Sequence, residues 1–115
     1  MNVNGRMIVR NLYEIPFVPT SHDIGKKQVL LSNTETESKI TQIAKTVLPA
    51  ESVIEQHAHP SMDEHFLFLC GEGEIIIDET ILTCVPGLFV LVPATTKHYI
   101  IAKTELCFMT FSVAL

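Results

Sequence analysis

Four side chains of the types that bind transition metals occur in the second half of the chain. His57 and His59 stand two residues apart, and Glu64 follows shortly after them. Because side chains two apart in a β-strand share a face, both imidazoles can point into one cavity. His98 lies far downstream and is the fourth candidate ligand. Imidazoles and one carboxylate together form a mixed nitrogen and oxygen site that suits a divalent transition metal.

The elements that must position these side chains read as short β-strands. Runs rich in β-branched and aromatic residues are separated by Pro, Gly, Asp and polar clusters, which is typical of strands joined by turns. A helix is the competing interpretation only for residues 40–48, where Pro49 ends the run and no apolar stripe at helical spacing appears. The expected strands cover residues 7–12, 27–32, 40–48, 64–70, 75–77, 81–85, 88–92, 98–102 and 106–113. This succession of short strands and turns predicts an all-β antiparallel sandwich or barrel.

Strand parity predicts which side chains face the interior. The even positions of residues 64–70 place Phe66, Phe68 and Cys70 on the face of Glu64, and His65 on the opposite, outward face. Since both faces are mostly apolar, we expect barrel interior on one side and a second sheet or subunit on the other. In the last strand we take the face of Cys107, Met109, Phe111 and Val113 as the core face. The predicted cavity walls are Phe66, Phe68, Ile100, Met109 and Phe111.

Length and composition bound the class of protein. The 115 residues fit one domain, with residues 1–25 as a lead-in and residues 26–115 as a single barrel domain. Eight Lys and Arg against 13 acidic residues give a net charge of −5, which argues against nucleic acid as a partner. The start of the chain has no secretory pattern, and no apolar run has transmembrane length, so we expect neither secretion nor a membrane partner.

The cysteines and the unpaired histidine support no further site. Cys70, Cys84 and Cys107 are odd in number and lack CxxC spacing, so we expect no disulfide framework and no thiolate zinc site. Reduced thiols predict a cytoplasmic protein. His22 stands in a loop without a partner at useful spacing, and the spacing favours an exposed histidine over a ligand.

The candidate ligands lie within two motifs that resemble those of the cupin superfamily, in its small single-domain form. The first motif, G-x5-H-x-H-x(3,4)-E-x6-G, is matched at His57, His59, Glu64 and Gly71. The second, G-x5-P-x-G-x2-H-x3-N, is matched at Gly87, Pro93 and His98. Three positions depart from the motifs, because Glu51 and Thr95 replace glycines and Ala102 replaces the asparagine.

The resemblance implies a double-stranded β-helix, or jelly-roll barrel, with a metal held near its middle by three imidazoles and Glu64. Iron, manganese, nickel and zinc all fit that ligand set, with one or two coordination positions open. A dioxygenase-like metalloenzyme is the leading expectation, with Glu64 as ligand and catalytic base. The alternative is a non-catalytic module that uses the same metal site to bind or sense a small molecule, since the fold hosts both.

The expected ligand is small and largely apolar or aromatic. No arginine falls inside the predicted barrel, and Lys97 and Lys103 lie in loops or at strand ends, which disfavours sugar phosphates and dicarboxylates. We also expect a homodimer that packs sheet to sheet, with exchange of N-terminal strands as a further expectation.

Overall fold

Short antiparallel strands make up most of the chain, as the sequence predicts. The structure is a computed structural model that describes residues 2–3 and 7–115. The two helices in this part are three-residue 3₁₀ turns, Leu12–Glu14 and Asn33–Glu35. The strands are β1 (Asn2–Val3), β2 (Met7–Ile8), β3 (Val18–Pro19), β4 (Lys26–Ser32), β5 (Ile40–Leu48), β6 (Val53–His57), β7 (Met62–Cys70), β8 (Gly73–Ile77), β9 (Thr80–Cys84), β10 (Phe89–Val92), β11 (His98–Ala102) and β12 (Leu106–Ala114).

Two sheets form the body of the molecule. The six-stranded sheet has the order β10-β7-β12-β5-β4-β3, and the four-stranded sheet has the order β6-β11-β8-β9. All neighbouring strands pair antiparallel, and β1 and β2 form a separate two-stranded ribbon. The prediction of an all-β fold is therefore confirmed, and residues 40–48 form a strand rather than a helix.

The core lies between the two sheets and takes side chains from both. Phe66, Phe68 and Phe108 of the six-stranded sheet form a cluster with ring centroids 5.3 to 6.0 Å apart. Ile75 and Ile100 of the four-stranded sheet are almost fully buried against the same cluster. Removal of these apolar surfaces from water is the main force that holds the sheets together.

Alternation in β7 follows the predicted parity as far as Phe68, but Cys70, predicted on the same inner face, is exposed. Phe66 and Phe68 are buried, whereas Leu69 on the other face is 41% exposed. His65 points outward, as predicted, and its Nδ1 lies 2.7 Å from the carbonyl oxygen of Phe111. Within this single chain, the outer face of β7 is therefore only partly covered.

The predicted core face of β12 is wrong. Leu106, Phe108, Thr110 and Ser112 are the buried residues of the inner face, while Met109 pairs in register with Lys45 and Leu67 on the outer face. A bulge between Cys107 and Phe108 buries both of those residues. The more apolar face of β12 is the outer one, because the inner face carries the hydroxyl side chains of Thr110 and Ser112.

The structure also corrects the prediction of reduced thiols. Cys70 on β7 stands directly opposite Cys107 on β12 with a Cα–Cα distance of 5.1 Å, and the two form a disulfide. The cytoplasmic expectation thus loses the support that it drew from cysteine usage. Cys84 stays free, and burial raises the pKa of its thiol to about 12, so this thiol is unreactive.

The predicted lead-in contributes one strand to the larger sheet. β3 pairs with β4 at Val18 and Lys27, and the strand expected over residues 7–12 is limited to Met7–Ile8. Residues 1 and 4–6 of the lead-in lie outside the described residues. Neither of the short helices in the described residues has the length or apolar character to cross a bilayer.

Candidate metal centre

The two sheets bring the four predicted ligands together. His57 ends β6 and pairs in register with His98 at the start of β11, which places the two ring centroids 4.3 Å apart. His59 follows in the loop after β6, and Glu64 approaches from β7 in the other sheet. One ligand atom from each of these residues lies within 4.8 Å of the others. The spacing is close to that of donors around one divalent ion, whose bonds are about 2.0–2.2 Å long.

Backbone carbonyls orient two of the imidazoles. Nδ1 of His57 lies 2.9 Å from the carbonyl oxygen of Glu55, and Nδ1 of His98 lies 3.0 Å from that of Thr96. A carbonyl can only accept, so each Nδ1 carries a proton and donates it. The Nε2 atoms of these rings therefore keep a lone pair, which is the form that binds a metal.

Two imidazole nitrogens at the centre of the cluster lack hydrogen bonds. Within the described residues, Nε2 of His59 and Nε2 of His98 are buried without a hydrogen-bond partner. They lie 3.5 and 3.4 Å from Oε1 of Glu64, a distance at which the attraction is Coulombic rather than a well-formed hydrogen bond. Buried polar atoms without partners cost free energy, and a coordinated cation would satisfy all three groups at once. The residues present therefore fit a divalent metal.

The pKa shifts follow from burial and from the mutual contacts of the cluster. Burial favours a higher pKa for Glu64, but the neighbouring His98, His59 and His57 outweigh it and lower the pKa. For His98, burial favours a lower pKa, and the adjacent carboxylate of Glu64 together with the carbonyl of Thr96 raises it overall. Burial lowers the pKa of His57. Glu64 is thus held as a carboxylate even though it is largely buried.

The loop after β10 supports the loop that carries His59. The backbone N–H of Thr95 donates to the carbonyl oxygen of His59 at 2.7 Å, and the backbone N–H of Ala94 donates to Oδ1 of Asp63 at 2.8 Å. Thr95 has a φ of +71°, and Glu51 has a φ of +65°. Both positions keep the left-handed backbone for which the motif provides glycine, so the two departures leave the turns intact.

A cavity of about 330 Å³ opens beside the cluster. Phe66 and Ile100 line it, in agreement with the placement expected from strand parity, whereas Phe68 is packed in the core behind it. Met109 and Phe111 do not line the cavity, because they lie on the outer face of β12. Phe108 takes their place as the aromatic wall contributed by that strand.

Two residues at the cavity are ones that the sequence assigned no role. His22 is exposed in the turn before β4, as predicted, but its ring lies 4.7 Å from that of His57 and its side chain lines the cavity. Lys27 on β4 also lines the cavity, although β4 belongs to the six-stranded sheet and His57 and His98 belong to the four-stranded sheet. No spacing signal marks either residue, since both reach the site only through the pairing of the strands. Gln42, Ala44 and Thr46 share one face of β5, and the two polar side chains among them are the sequence feature that indicates a partly polar interior.

Comparisons with solved structures place this architecture among known folds. A predicted oxalate decarboxylase from Thermotoga maritima shares 24% identity and a TM-score of 0.84, over 95% of this chain and 100% of that one. Ectoine synthase from P. lautus shares 20% identity and a TM-score of 0.81, over 94% and 78% of the two chains. KdgF from Halomonas sp. shares 15% identity and a TM-score of 0.73, over 90% and 92%. At such identities these similarities show the fold alone.

A small two-sheet β fold with three imidazoles and one carboxylate converging between its sheets defines a class of candidate metal-binding barrels. The model of the family described as Cupin domain matches residues 45–113, which is more than half of the chain. The chain therefore belongs to the cupin family, and the predicted jelly-roll fold is confirmed. No curated protein sequence is significantly similar to it.

Proposed function

We propose that this cupin is a metal-dependent enzyme of the oxygenase type that acts on a small molecule bound in the cavity. His57, His59, Glu64 and His98 hold one divalent transition metal. The observation that carries the proposal is the pair of buried, unpartnered Nε2 atoms facing a buried carboxylate. A bound metal of this kind supplies Lewis acidity and, if it is redox-active, a site for dioxygen.

The residues of the chain contribute binding, orientation and exclusion of water. Four protein ligands would leave one or two coordination positions of a divalent metal open, and three of these ligands, His57, His59 and Glu64, line the cavity. Ile54, Phe66, Ile100 and Phe108 provide an apolar wall for the body of the substrate. Glu64 has its carboxylate held by the neighbouring imidazoles, and we propose that it acts both as a ligand and as the base for a substrate proton.

Metal analysis combined with oxygen consumption tests this proposal. The wild-type protein, reconstituted with each of Fe²⁺, Mn²⁺, Ni²⁺ and Zn²⁺, is expected to bind about one equivalent. His98→Ala and Glu64→Gln are expected to lower the affinity at least about 10- to 100-fold, measured by competition with a chromophoric chelator. His65→Asn is the matched control, since His65 faces away from the cluster, and it is expected to bind metal normally.

Two outcomes would contradict the proposal in different ways. Unchanged metal binding in both site variants would show that the ion sits elsewhere. A normal site whose iron form consumes no oxygen with any small aromatic, apolar or carboxylic probe would instead support a module that binds or senses a small molecule without turnover.

A further inference from the structure

The cavity has two unlike walls. Apolar side chains come mainly from the four-stranded sheet and from the aromatic cluster. The opposite wall is polar and comes from β4, β5 and β12, whose contributions are Lys27, Thr41, Gln42, Thr46, Thr110 and Ser112. A sheet face that served only the core would be apolar throughout, so this second wall requires a reason of its own.

Strand register connects the polar wall to the candidate metal ligand Glu64. Glu64 on β7 stands directly opposite Ser112 on β12, and Ser112 stands directly opposite Gln42 on β5. Residues opposed in this way share a face, with Cβ atoms about 4.5–5.5 Å apart. Nζ of Lys27 then donates to Oε1 of Gln42 at 3.2 Å. A continuous polar row thus runs from the carboxylate of Glu64 to the ammonium group of Lys27.

The polar row has unused hydrogen-bonding capacity. Ser112 is 4% exposed and Thr46 is 7% exposed, yet within the described residues neither hydroxyl forms a hydrogen bond. The hydroxyl oxygens of these two residues are not fully enclosed, because both residues line the cavity, and they are free to form hydrogen bonds there. A ligand with oxygen or nitrogen atoms along this wall would provide partners for them.

The charge of Lys27 is also not neutralised by the protein. In the part of the chain that the structure describes, Lys27 has no ion pair, and Glu64 is the only acidic side chain that lines the cavity. His22, His57 and His59 line the same cavity as Lys27. The ammonium group therefore faces the same space as the histidines. A divalent cation held beside Glu64 would give the cavity a net positive charge.

We propose that Lys27, positioned by Gln42, binds a carboxylate group of the substrate while another oxygen of the same substrate reaches the metal. The hydroxyl groups of Thr46 and Ser112 bind polar atoms between the two ends. The inference rests on the proposed function for the metal end. It makes the substrate class a small carboxylic acid with a partly apolar body. This proposal differs from the expectation of a largely apolar ligand, which rested on the absence of arginine from the barrel and on the peripheral positions of Lys97 and Lys103.

A carboxylate fits this site better than a phosphate group. Lys27 is a single point charge, and no arginine and no helix N-terminus lines the cavity in the described residues. Phosphate groups generally bind where several cationic or backbone N–H donors converge. Inorganic phosphate is therefore the competing anion in the test.

Binding of matched dicarboxylates to the Zn²⁺-loaded protein tests the inference. The probes are succinate, glutarate and adipate, and each is compared with its monoamide. The monoamide keeps one carboxylate for the metal and has a neutral amide in place of the other. Calorimetry is expected to show that at least one dicarboxylate binds about tenfold or more tightly than its monoamide, as a hydrogen bond to a charged group would give. Lys27→Met is expected to abolish that preference, and Lys27→Arg is expected to retain part of it.

Lys45→Met is the matched control, because Lys45 lies on the outer face of β5 opposite Met109. It removes the same charge and is expected to leave the preference intact. The inference fails if no probe binds, if Lys27→Met keeps the full preference, or if inorganic phosphate binds more tightly than the dicarboxylates. The same titrations on metal-free protein separate the two proposals. If the protein binds no metal but still prefers the dicarboxylate over its monoamide through Lys27, only the metal site is refuted. If it binds metal normally but lacks that preference, only the role of Lys27 is refuted.

Discussion

Thr95 holds a backbone conformation that β-branched residues rarely adopt. It has a φ of +71°, and its N–H donates to the carbonyl oxygen of the candidate metal ligand His59. Left-handed backbone costs a residue with a Cβ about 1–2 kcal/mol. The hydrogen bond and the surrounding loop therefore maintain a strained residue beside the site, which is where such strain is commonly found.

Replacing Thr95 by glycine is expected to stabilise the protein. The substitution Thr95→Gly removes the steric cost but adds freedom to the unfolded chain, so the net gain in unfolding free energy is up to about 1 kcal/mol. Urea denaturation followed by circular dichroism measures it. Thr96→Gly is the control, since Thr96 has no positive φ and glycine there is expected to destabilise. Equal destabilisation by both substitutions would show that Thr95 is not strained.

Glu35 illustrates how one carboxylate couples a 3₁₀ turn to the N-terminal segment. It accepts hydrogen bonds from the guanidinium of Arg10 and from the backbone N–H of Ser32, the second at 3.1 Å. The contact with Arg10 first, and that with Ser32 second, lower the pKa of Glu35 from 4.5 to about 2. Since the folded pKa is lower than the unfolded pKa, the stabilisation is full above about pH 4.5 and is lost as the pH falls toward 2.

We therefore expect the effect of Glu35→Gln to depend on pH in a defined direction. The variant should unfold more easily than the wild type near neutral pH, and the difference should shrink as the pH falls below 4.5 toward 2. Thermal unfolding across this range measures the difference. Glu37→Gln, at an exposed position in the next turn, should unfold like the wild type both near neutral pH and at low pH. A difference that grows on acidification would contradict the assignment.

At the level of strands, β7 and β12 are connected by both hydrogen bonds and a covalent bond. Their ladder joins the strand that carries Glu64 to the strand that carries the hydroxyl wall, and the disulfide between Cys70 and Cys107 closes its end. A cross-link over 37 residues of sequence separation restricts the unfolded chain. The register of the two strands, and with it the site, is stabilised from the end farthest from Glu64.

Thiol titration and unfolding test the disulfide. Denatured, non-reduced protein is expected to titrate one thiol, Cys84, and all three cysteines are expected to titrate after reduction. The double substitution Cys70→Ser with Cys107→Ser is expected to lower the unfolding free energy by about 2–4 kcal/mol. Three titratable thiols before any reduction would contradict the pairing.

Considered as a whole molecule, the chain carries an apolar outer surface at one end of the larger sheet. Leu69, Phe89 and Leu91, which we call the outer patch, are 41%, 56% and 45% exposed on β7 and the edge strand β10. Uncharged side chains of β12 continue this face, with Met109 and Phe111 partly buried. Contiguous apolar surface beside an unpaired strand edge favours association. A second copy of this chain offers an equally apolar face, so we propose a homodimer through the outer patch.

Sedimentation velocity at micromolar concentration tests the dimer. The wild-type protein is expected to sediment as a dimer, and Leu91→Glu is expected to convert it to a monomer, because a charge in an apolar interface is not solvated. Ile81→Glu is the matched control, since Ile81 is 63% exposed on β9 of the other sheet. A monomeric wild type would exclude the proposal, and dissociation by both substitutions would place the interface elsewhere.

Local sequence was sufficient for most of the longer strands and for the identity of the four candidate ligands, but it did not predict β3 or β6. Turn residues separate most strands in the sequence itself, and the two motifs contain His57, His59, Glu64 and His98. Strand parity was the wrong reason for pairing His57 with His59, because β6 ends at His57 and His59 lies in the loop that follows. Parity also placed Phe66 correctly in β7, because that strand has buried residues at regular alternation. Period-two alternation is a short-range property and needs no knowledge of which strands become neighbours.

The tertiary structure alone decided which strands meet, and three features depended on that. The inner face of β12 was assigned wrongly because a cavity permits polar side chains inside and an apolar patch outside, so hydropathy no longer distinguishes the two faces. Cys70 and Cys107 come together only through the register of β7 with β12. Lys27 and His22 reach the cavity only because β4 and the loop before it lie against that opening. Strand pairing over long sequence separation is set by the packing of the whole barrel, and no local pattern of residue types encodes it.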